Sequence, residues 1–134
     1  MPKMIFVNLP VDDLTASERF YVALGGKVNP RFSDENSRSV MLSDAIGVQL
    51  LTHARYRDFS RRPIDDARRE AKALLATNVD RREPLDEALT RLTAAGGKAD
   101  PNPPQDHGFM RSRSVEDPDG YVWEVMWMEP AAIG

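Results

Sequence analysis

One carboxylate stands out as a candidate for chemistry because of its neighbours. Glu124 lies in a predicted strand at 121–128, where alternation puts Val122 and Met126 on its own face and Trp123 on the other. A carboxylate among large apolar side chains needs a partner, a metal ion or a proton. Glu124 is therefore the first candidate for a catalytic base or a metal ligand.

Other polar residues are weaker candidates. Asn8 and Asn78 lie at similar positions in two predicted strands and face inward by parity, where they could orient a ligand or bond to neighbouring backbone. Arg111 and Arg113 could pair with Glu124, face an anionic ligand or form surface ion pairs. The parity of the two arginines is left open.

The two histidines and the two tryptophans favour structural interpretations. His53 and His107 lie beside predicted strand ends, and no motif relates them to each other, so surface positions are expected. Trp123 and Trp127 lie on the face opposite Glu124, so we expect them to pack beneath helices rather than to stack on a ligand.

The elements that position these residues begin with a strand at 4–9, which is apolar enough to be buried on both faces. The segment Thr15 to Glu18 matches a capping box, so a helix is predicted to start there. Gly25 and Gly26 end it. Three short strands follow, at 27–32, 38–42 and 47–52.

The same order returns in the second half. A strand is predicted at 73–80, and Pro84 takes the first position of a helix that ends at Gly96 and Gly97. Strands follow near 98–99, at 110–116 and at 121–128, the last after the Asp117–Gly120 turn. Each half therefore predicts a β-α-β-β-β module, module 1 at about 4–53 and module 2 at about 72–128.

The connector at about 54–71 is rich in arginine and aspartate. We interpret it as a solvated linker with a helical turn after Pro63, and the alternative is a lid over a ligand that carries Tyr56 and Phe59.

Size and composition limit the possible functions. The 134 residues fit one α+β domain spanning 1–134, and the net charge of −3 argues against a nucleic-acid surface. The chain contains no cysteine, which excludes disulfides and thiolate chemistry. It also contains no apolar run of membrane-spanning or signal-peptide length, so we expect a cytoplasmic protein.

Four motifs in order resemble the vicinal oxygen chelate superfamily, which includes glyoxalase I, extradiol dioxygenases and the bleomycin and fosfomycin resistance proteins. They are the repeated module, Leu9-Pro-Val-x-Asp-Leu14, Phe20-Tyr-x-x-Leu-Gly25 and Asp117-Pro-Asp-Gly-Tyr-x-x-Glu124. The resemblance implies that both modules form one curved mixed sheet, an open cup with helices on its convex side. That cup would hold a divalent metal ion and the ligand.

The resemblance also implies four metal-ligand positions, and three are apolar here. They fall on Phe6, Leu50, Leu74 and Glu124. A shift of the alignment by one or two residues would bring in Gln49 or Asn8 instead. A divalent ion wants at least three protein ligands, so we expect no metal and no other cofactor. The predicted ligand pocket consists of Phe6, Asn8, Leu50, Leu74, Asn78 and Met126.

We therefore expect a member of this superfamily that binds a small organic molecule in its cup without a metal ion. It would either sequester the molecule or act on it through Glu124, since apolar surroundings disfavour a charged carboxylate and make it a plausible base. One alternative is a metal-dependent lyase or dioxygenase of the glyoxalase type with a displaced ligand set. The other is a non-catalytic interaction module. A homodimer is expected, because relatives commonly pair and would cover exposed sheet edges.

Overall fold

The structure is a computed structural model that describes residues 2–79 and 83–129. The chain divides into two compact units, Met1–Asp65 (unit 1) and Asp66–Gly134 (unit 2). Each unit holds one mixed sheet, with four strands in unit 1 and five among the described residues of unit 2. The predicted α+β class is confirmed, and the strands are divided between two sheets. The prediction of a single domain stays a prediction.

Unit 1 consists of five strand and helix segments in the predicted order, followed by a second helix. They are β1 (Ile5–Val11), α1 (Leu14–Ala23), β2 (Lys27–Asp34), β3 (Ser37–Met41), β4 (Ile46–Thr52) and α2 (His53–Phe59). The strand order is β1-β4-β3-β2, in which β1 and β4 are parallel and the other pairs antiparallel.

Helix α1 begins one residue before the predicted capping box. Asp13 is its N-cap, and its Oδ1 accepts hydrogen bonds from the backbone N–H groups of Thr15 at 3.0 Å and Ala16 at 3.1 Å. The carboxylate of Asp13 accepts from two backbone amides at the positive end of the helix. Thr15 as the cap would offer only a neutral hydroxyl there. The capping-box prediction is therefore wrong, whereas the predicted end is correct, since Gly25 adopts φ +110° there.

The core of unit 1 lies between α1 and one face of the sheet. Phe20 and Tyr21 of α1 are fully buried and pack edge to face, with ring centroids 5.0 Å apart. The prediction that β1 is buried on both faces is wrong, because Phe6 is 46% exposed and Asn8 is exposed too. β1 is buried only towards its C-terminal end and on its helix-facing side.

Helix α2 is the main element that the sequence did not predict. It directly follows β4, and the hydroxyl of Thr52 accepts a hydrogen bond from the backbone N–H of Arg55 at 3.2 Å. α2 packs against β1 and β4, so the first part of the predicted connector belongs to unit 1. A helical turn after Pro63 does exist, where the N–H of Glu70 donates to the carbonyl of Asp66 at 3.0 Å.

Unit 2 repeats the order of unit 1 with one additional short strand. Its elements are β5 (Leu75–Asn78), α3 (Leu85–Ala94), β6 (Lys98–Ala99), β7 (Gln105–Asp106), β8 (Met110–Glu116) and β9 (Val122–Met128). The order is β5-β9-β8-β6, β7 also pairs with β8, and β5 and β9 are parallel. Pro84 is the N-cap of α3 rather than its first residue. Asp80, which ends the predicted strand, lies outside the described residues.

The turn between β8 and β9 has the predicted chemistry and an additional contact. Asp117 Oδ1 accepts from the N–H groups of Asp119 and Tyr121, both at 2.9 Å. Gly120 adopts φ +97°, and Arg68 lies so close that a Cβ on Gly120 would be 2.8 Å from the Arg68 backbone nitrogen. Arg68 Nη2 also donates to the Pro118 carbonyl at 2.7 Å. The segment at 66–69 is therefore seated on this turn.

The helices of the described chain are short. α1 and α3 have ten residues each, and none of the described helices has the length and apolar character needed to cross a membrane.

Candidate functional site

Each sheet has one face against a helix and one open face, and ion pairs identify which is which. In unit 1, Arg38 of β3 pairs with Glu18 of α1, with Nε and Oε1 3.2 Å apart, so the face of Arg38 is the helix side. Arg38 is directly opposite Leu50, so the even-numbered residues of β4 share the helix side and the odd-numbered ones lie on the other side. The open face of unit 1 therefore carries Phe6, Asn8 and Gln49.

A groove of about 570 Å³ lies on this open face. It is lined by residues from all four strands, including Phe6, Lys27, Asn29, Ser39, Met41 and Gln49. The volume falls within the range that holds drug-sized ligands, and an apolar lining with few polar groups is typical of such sites. The groove is the candidate ligand site of unit 1.

Gly47 shapes the apolar part of the groove. A Cβ placed on Gly47 would lie 2.8 Å from Phe6 Cδ1 and 2.9 Å from Met41 Sδ. The ring and the thioether thus meet over β4 in the space that any other residue would fill with its side chain. With no side chain on Gly47 between them, Phe6 and Met41 supply the apolar part of the groove.

Leu50 does not line the groove, and its prediction as a pocket residue is wrong. Leu50 is fully buried and pairs with Leu9 on the side that faces α1. Gln49, one residue earlier, takes the open-face position. The sequence carried this signal, because Val48 and Leu50 alternate with Gly47 and Gln49, and the uniformly apolar set belongs to the core.

Internal duplication gives the same assignment. When Val11 of module 1 is aligned with Val79 of module 2, Asn8 of β1 corresponds to Ala76 of β5. Gln49 pairs with Asn8, and Glu124 pairs with Ala76. Gln49 is therefore the counterpart of Glu124 in module 1.

Glu124 lies on the open face of the unit 2 sheet and is half-buried. The residue directly opposite Glu124 on β8 is Ser114. The residue that reaches it is Asn102, whose Nδ2 donates to Glu124 Oε1 at 3.4 Å. Neither arginine of β8 is its partner, because Arg111 and Arg113 lie on the helix side.

The backbone of Asn102 is held in place by the side chain of Ser114 on β8. Its N–H donates to Ser114 Oγ at 2.9 Å, and the same hydroxyl donates to the Asn102 carbonyl at 3.2 Å. The loop enters through Asp100, which has φ +60°. Asn102 and Ser114 are contacts of Glu124 that the sequence alone did not suggest, since the Pro-rich loop at 101–104 gives no periodic signal.

Arg113 fixes the start of this loop by ion pairs on the helix side. Its Nη2 lies 2.6 Å from Asp100 Oδ2, and its Nη1 lies 3.0 Å from Asp86 Oδ1 of α3. The hydrogen bonds from Arg113 lower the pKa of Asp100 below its ordinary value of 3.8, and the same contacts raise the pKa of Arg113. The interpretation of Arg113 as an ion-paired structural residue fits this geometry.

The aromatic residues of β9 also lie on the helix side. Trp123 is 3% exposed, and Trp127 carries the guanidinium of Arg111 at 4.8 Å from its ring centroid. A cation over a tryptophan face is a favourable contact that occupies both side chains. Neither tryptophan shares a face with Glu124.

The remaining predicted pocket residues of unit 2 are Leu74, Asn78 and Met126. Asn78 and Met126 form a pair on the open face beside Glu124, and Asn78 Nδ2 bonds to the carbonyl of Val79 at 3.3 Å. Leu74 comes just before β5 and is 58% exposed. Whether one cup brings these residues together with Phe6 and Asn8 stays a prediction.

The histidines have separate surroundings. His53 Nε2 lies 3.0 Å from Asp12 Oδ1, which ties the start of α2 to the end of β1. His107 is exposed in the turn between β7 and β8, where its backbone N–H donates to the Met110 carbonyl.

The residues at the four expected ligand positions do not fit a divalent metal ion. With Gln49 in place of Leu50, they supply one amide and one carboxylate, and Phe6 and Leu74 supply no lone pair. Within residues 2–79 and 83–129, no three histidine, aspartate or glutamate side chains come together as a metal site would require.

Comparisons with known proteins agree with this fold. A family model for the glyoxalase/bleomycin resistance protein/dioxygenase superfamily matches residues 3–125. The search of curated proteins gave no match.

Similar solved structures are numerous. The hypothetical protein SA1046 from S. aureus has a TM-score of 0.75 and 21% identity, over 95% of this chain and 94% of that one. A glyoxalase-related enzyme from Fulvimarina pelagi has a TM-score of 0.75 and 23% identity, over 95% and 88%. A glyoxalase/bleomycin resistance protein/dioxygenase family enzyme from Burkholderia phytofirmans PsJN has a TM-score of 0.75 and 19% identity, over 95% of this chain and 99% of that one. Because the family model covers most of its length, the chain belongs to the glyoxalase/bleomycin resistance protein/dioxygenase superfamily.

Proposed function

We propose that this protein binds a small organic molecule in the groove on the open face of unit 1, and that it does so without a metal ion. The observation that carries the proposal is the groove itself, which combines the apolar surface of Phe6 and Met41 with the amide of Gln49. Apolar walls with a few oriented polar groups are the common design of small-molecule sites. A flat or convex face would instead favour the interaction-module alternative.

The lack of a fitting ligand set separates this proposal from the metal-dependent alternative. A lyase or dioxygenase of the glyoxalase type needs an ion held by several protein ligands, and two of the four expected positions are apolar. Sequestration of the molecule needs only the groove. Turnover needs a proton acceptor, and Glu124 is the candidate.

A thermal-shift screen of small metabolites tests the proposal. A ligand at one hundred times its Kd stabilises the native state by about 2.7 kcal/mol, which corresponds to a rise of roughly 10 °C in Tm for a domain of this size. Met41→Ala, which removes a lining side chain, should reduce this rise. Val22→Ala is the control, because Val22 is 47% exposed on α1 and does not line the groove.

Two outcomes would contradict the proposal. One is a screen in which no small molecule raises Tm while a protein partner does, which would favour an interaction module. The other is a rise that depends on added Zn²⁺, Ni²⁺, Fe²⁺ or Mn²⁺.

A separate experiment tests whether Glu124 acts as a catalytic base. The molecules that raise Tm are incubated with wild type and with Glu124→Gln, and a product formed only by wild type would assign the base to Glu124.

A further inference from the structure

Four uncharged polar side chains lie next to one another across the open face of the unit 1 sheet, one from each strand. The strand registers place each of them directly opposite the next, and directly opposite side chains share a face. Because adjacent strands are about 4.8 Å apart, the four span about 14 Å. We name them the polar row: Asn8, Gln49, Ser39 and Asn29.

Gln49 is the member of the polar row best placed to meet a ligand. Asn8 uses its Nδ2 in a bond of 3.4 Å to the Phe6 carbonyl, and Asn29 uses its Oδ1 to accept from the Arg31 N–H at 3.1 Å. Gln49 lies between them, is half-buried and lines the groove. Its side chain offers an acceptor and a donor side by side, which matches a ligand edge that carries the complementary pair.

The next row of the same face provides an aromatic surface. Phe6 is opposite Gly47, and Gly47 is opposite Met41, so the apolar surface lies two residues along each strand from the polar row. Phe6 is 46% exposed, which leaves ring area for contact with a ligand. Aromatic rings prefer offset-stacked or edge-to-face partners, so a planar ring suits this surface better than a saturated one.

The charges of the groove cancel. Among its lining residues, Lys27 and Asp44 are charged, with opposite signs, and both are exposed at the rim. A site for an anion or a cation normally presents a net charge of the opposite sign. This groove favours an uncharged ligand.

We propose that the ligand is a planar, uncharged aromatic molecule with an amide or ring-lactam edge, its ring against Phe6 and Met41 and its edge hydrogen-bonded to Gln49. This inference rests on the proposed function of the groove and specifies the chemical class of its ligand. Ligands of one or two rings suit a volume of about 570 Å³.

Three matched fragments test the ligand class with the full-length protein. Benzamide has the ring and the amide edge, cyclohexanecarboxamide has the edge without the aromatic ring, and benzoate has the ring with a charge. Titrations are followed by the backbone amide resonances of β3 and β4. We expect benzamide to shift the resonances of Gly47 and Gln49 with a Kd on the order of 1 mM, and the other two to bind at least tenfold more weakly.

Variants identify the contacts. Gln49→Leu and Phe6→Leu should each weaken benzamide binding about three- to tenfold, which corresponds to the loss of one hydrogen bond or one aromatic contact. Phe59→Leu is the control, since Phe59 is 72% exposed on α2, does not line the groove and should leave the affinity unchanged.

The possible failures are distinguishable. If cyclohexanecarboxamide or benzoate binds in the groove as tightly as benzamide, or if both variants bind benzamide as wild type does, the inference is overturned and the groove remains a ligand site. If none of the three fragments shifts any groove resonance at 20 mM, about twenty times the expected Kd, the inference fails, and the proposed function fails with it only if the metabolite screen also finds no molecule that raises Tm.

Discussion

Replacing Gly120 by alanine should destabilise the protein more than an ordinary glycine substitution in a turn. Gly120 has φ +97°, so alanine would adopt a conformation that L-residues avoid. Its methyl group would also lie 2.8 Å from the backbone nitrogen and 3.0 Å from the Cα of Arg68. Backbone atoms cannot rotate out of the way as a side-chain end can. The segment at 66–69 would have to leave its seat on the turn.

The size of the effect follows from two contributions. The positive φ costs an alanine about 1–2 kcal/mol. Displacing the segment removes the bond from Arg68 Nη2 to the Pro118 carbonyl and the packing around it, which adds about 1–2 kcal/mol. The expected loss is therefore about 2–4 kcal/mol, or roughly 8–16 °C in Tm at about 4 °C per kcal/mol.

Gly25→Ala provides the matched control. Gly25 has φ +110° at the end of α1, and its added Cβ would meet nothing within 4 Å. Its substitution should cost only the backbone contribution, about 1–2 kcal/mol. Thermal or urea unfolding of both variants gives the comparison, and trypsin cleavage after Arg68 or Arg69 should accelerate in Gly120→Ala alone. Equal losses of stability, or equal cleavage rates, would refute the argument that the segment is seated on Gly120.

Four further predictions concern charges, metal and assembly. Because its pKa is lowered by Arg113, Asp100 stabilises the fold above pH 3.8 and loses that effect as the pH falls through its native pKa, so Tm should drop more steeply below about pH 4 in wild type than in Asp100→Asn. Glu124→Gln should change the unfolding free energy by less than about 1 kcal/mol, since a glutamine oxygen can accept the long bond from Asn102; a loss above about 2 kcal/mol in urea would contradict this. Metal analysis after gentle purification should find below about one tenth of an equivalent of Zn, Ni, Fe or Mn, and a stoichiometric ion would reverse that conclusion. Sedimentation should show a homodimer, and a monomer at tens of micromolar would count against it.

The order and type of most elements could be predicted from the sequence because their signals are local. The glycines after each helix and the Asp117–Gly120 turn specify backbone conformations within a few residues. Helix α2 could not be predicted in this way, because it has no apolar face of its own and depends on packing against β1 and β4. Its seven residues include the charged Arg55, Arg57 and Asp58, and the apolar ones are too few to give a helical period.

The candidate site was predicted less completely, for reasons of parity and tertiary contact. A single-residue error in the register of β4 exchanged Gln49 for Leu50, and in a strand such an error moves a side chain to the opposite face. Asn102 reaches Glu124 from a loop whose path no period specifies. The meeting of Phe6 and Met41 over Gly47 depends on cross-strand pairing, which local sequence does not encode.

The parallel pairing of β1 with β4 and of β5 with β9 has a kinetic consequence. These pairs join Ile5 to Ile46 and Leu75 to Trp123, whereas the antiparallel pairs of β2, β3 and β4 join neighbours in the sequence. Closing a long loop costs more entropy than closing a short one, so contacts between distant residues form late in folding. β1 should therefore join the sheet after β2, β3 and β4 have paired. Since β1 carries Phe6 and Asn8, the groove would be complete only at the last step, and until then β4 would be an open edge on which chains can associate during refolding.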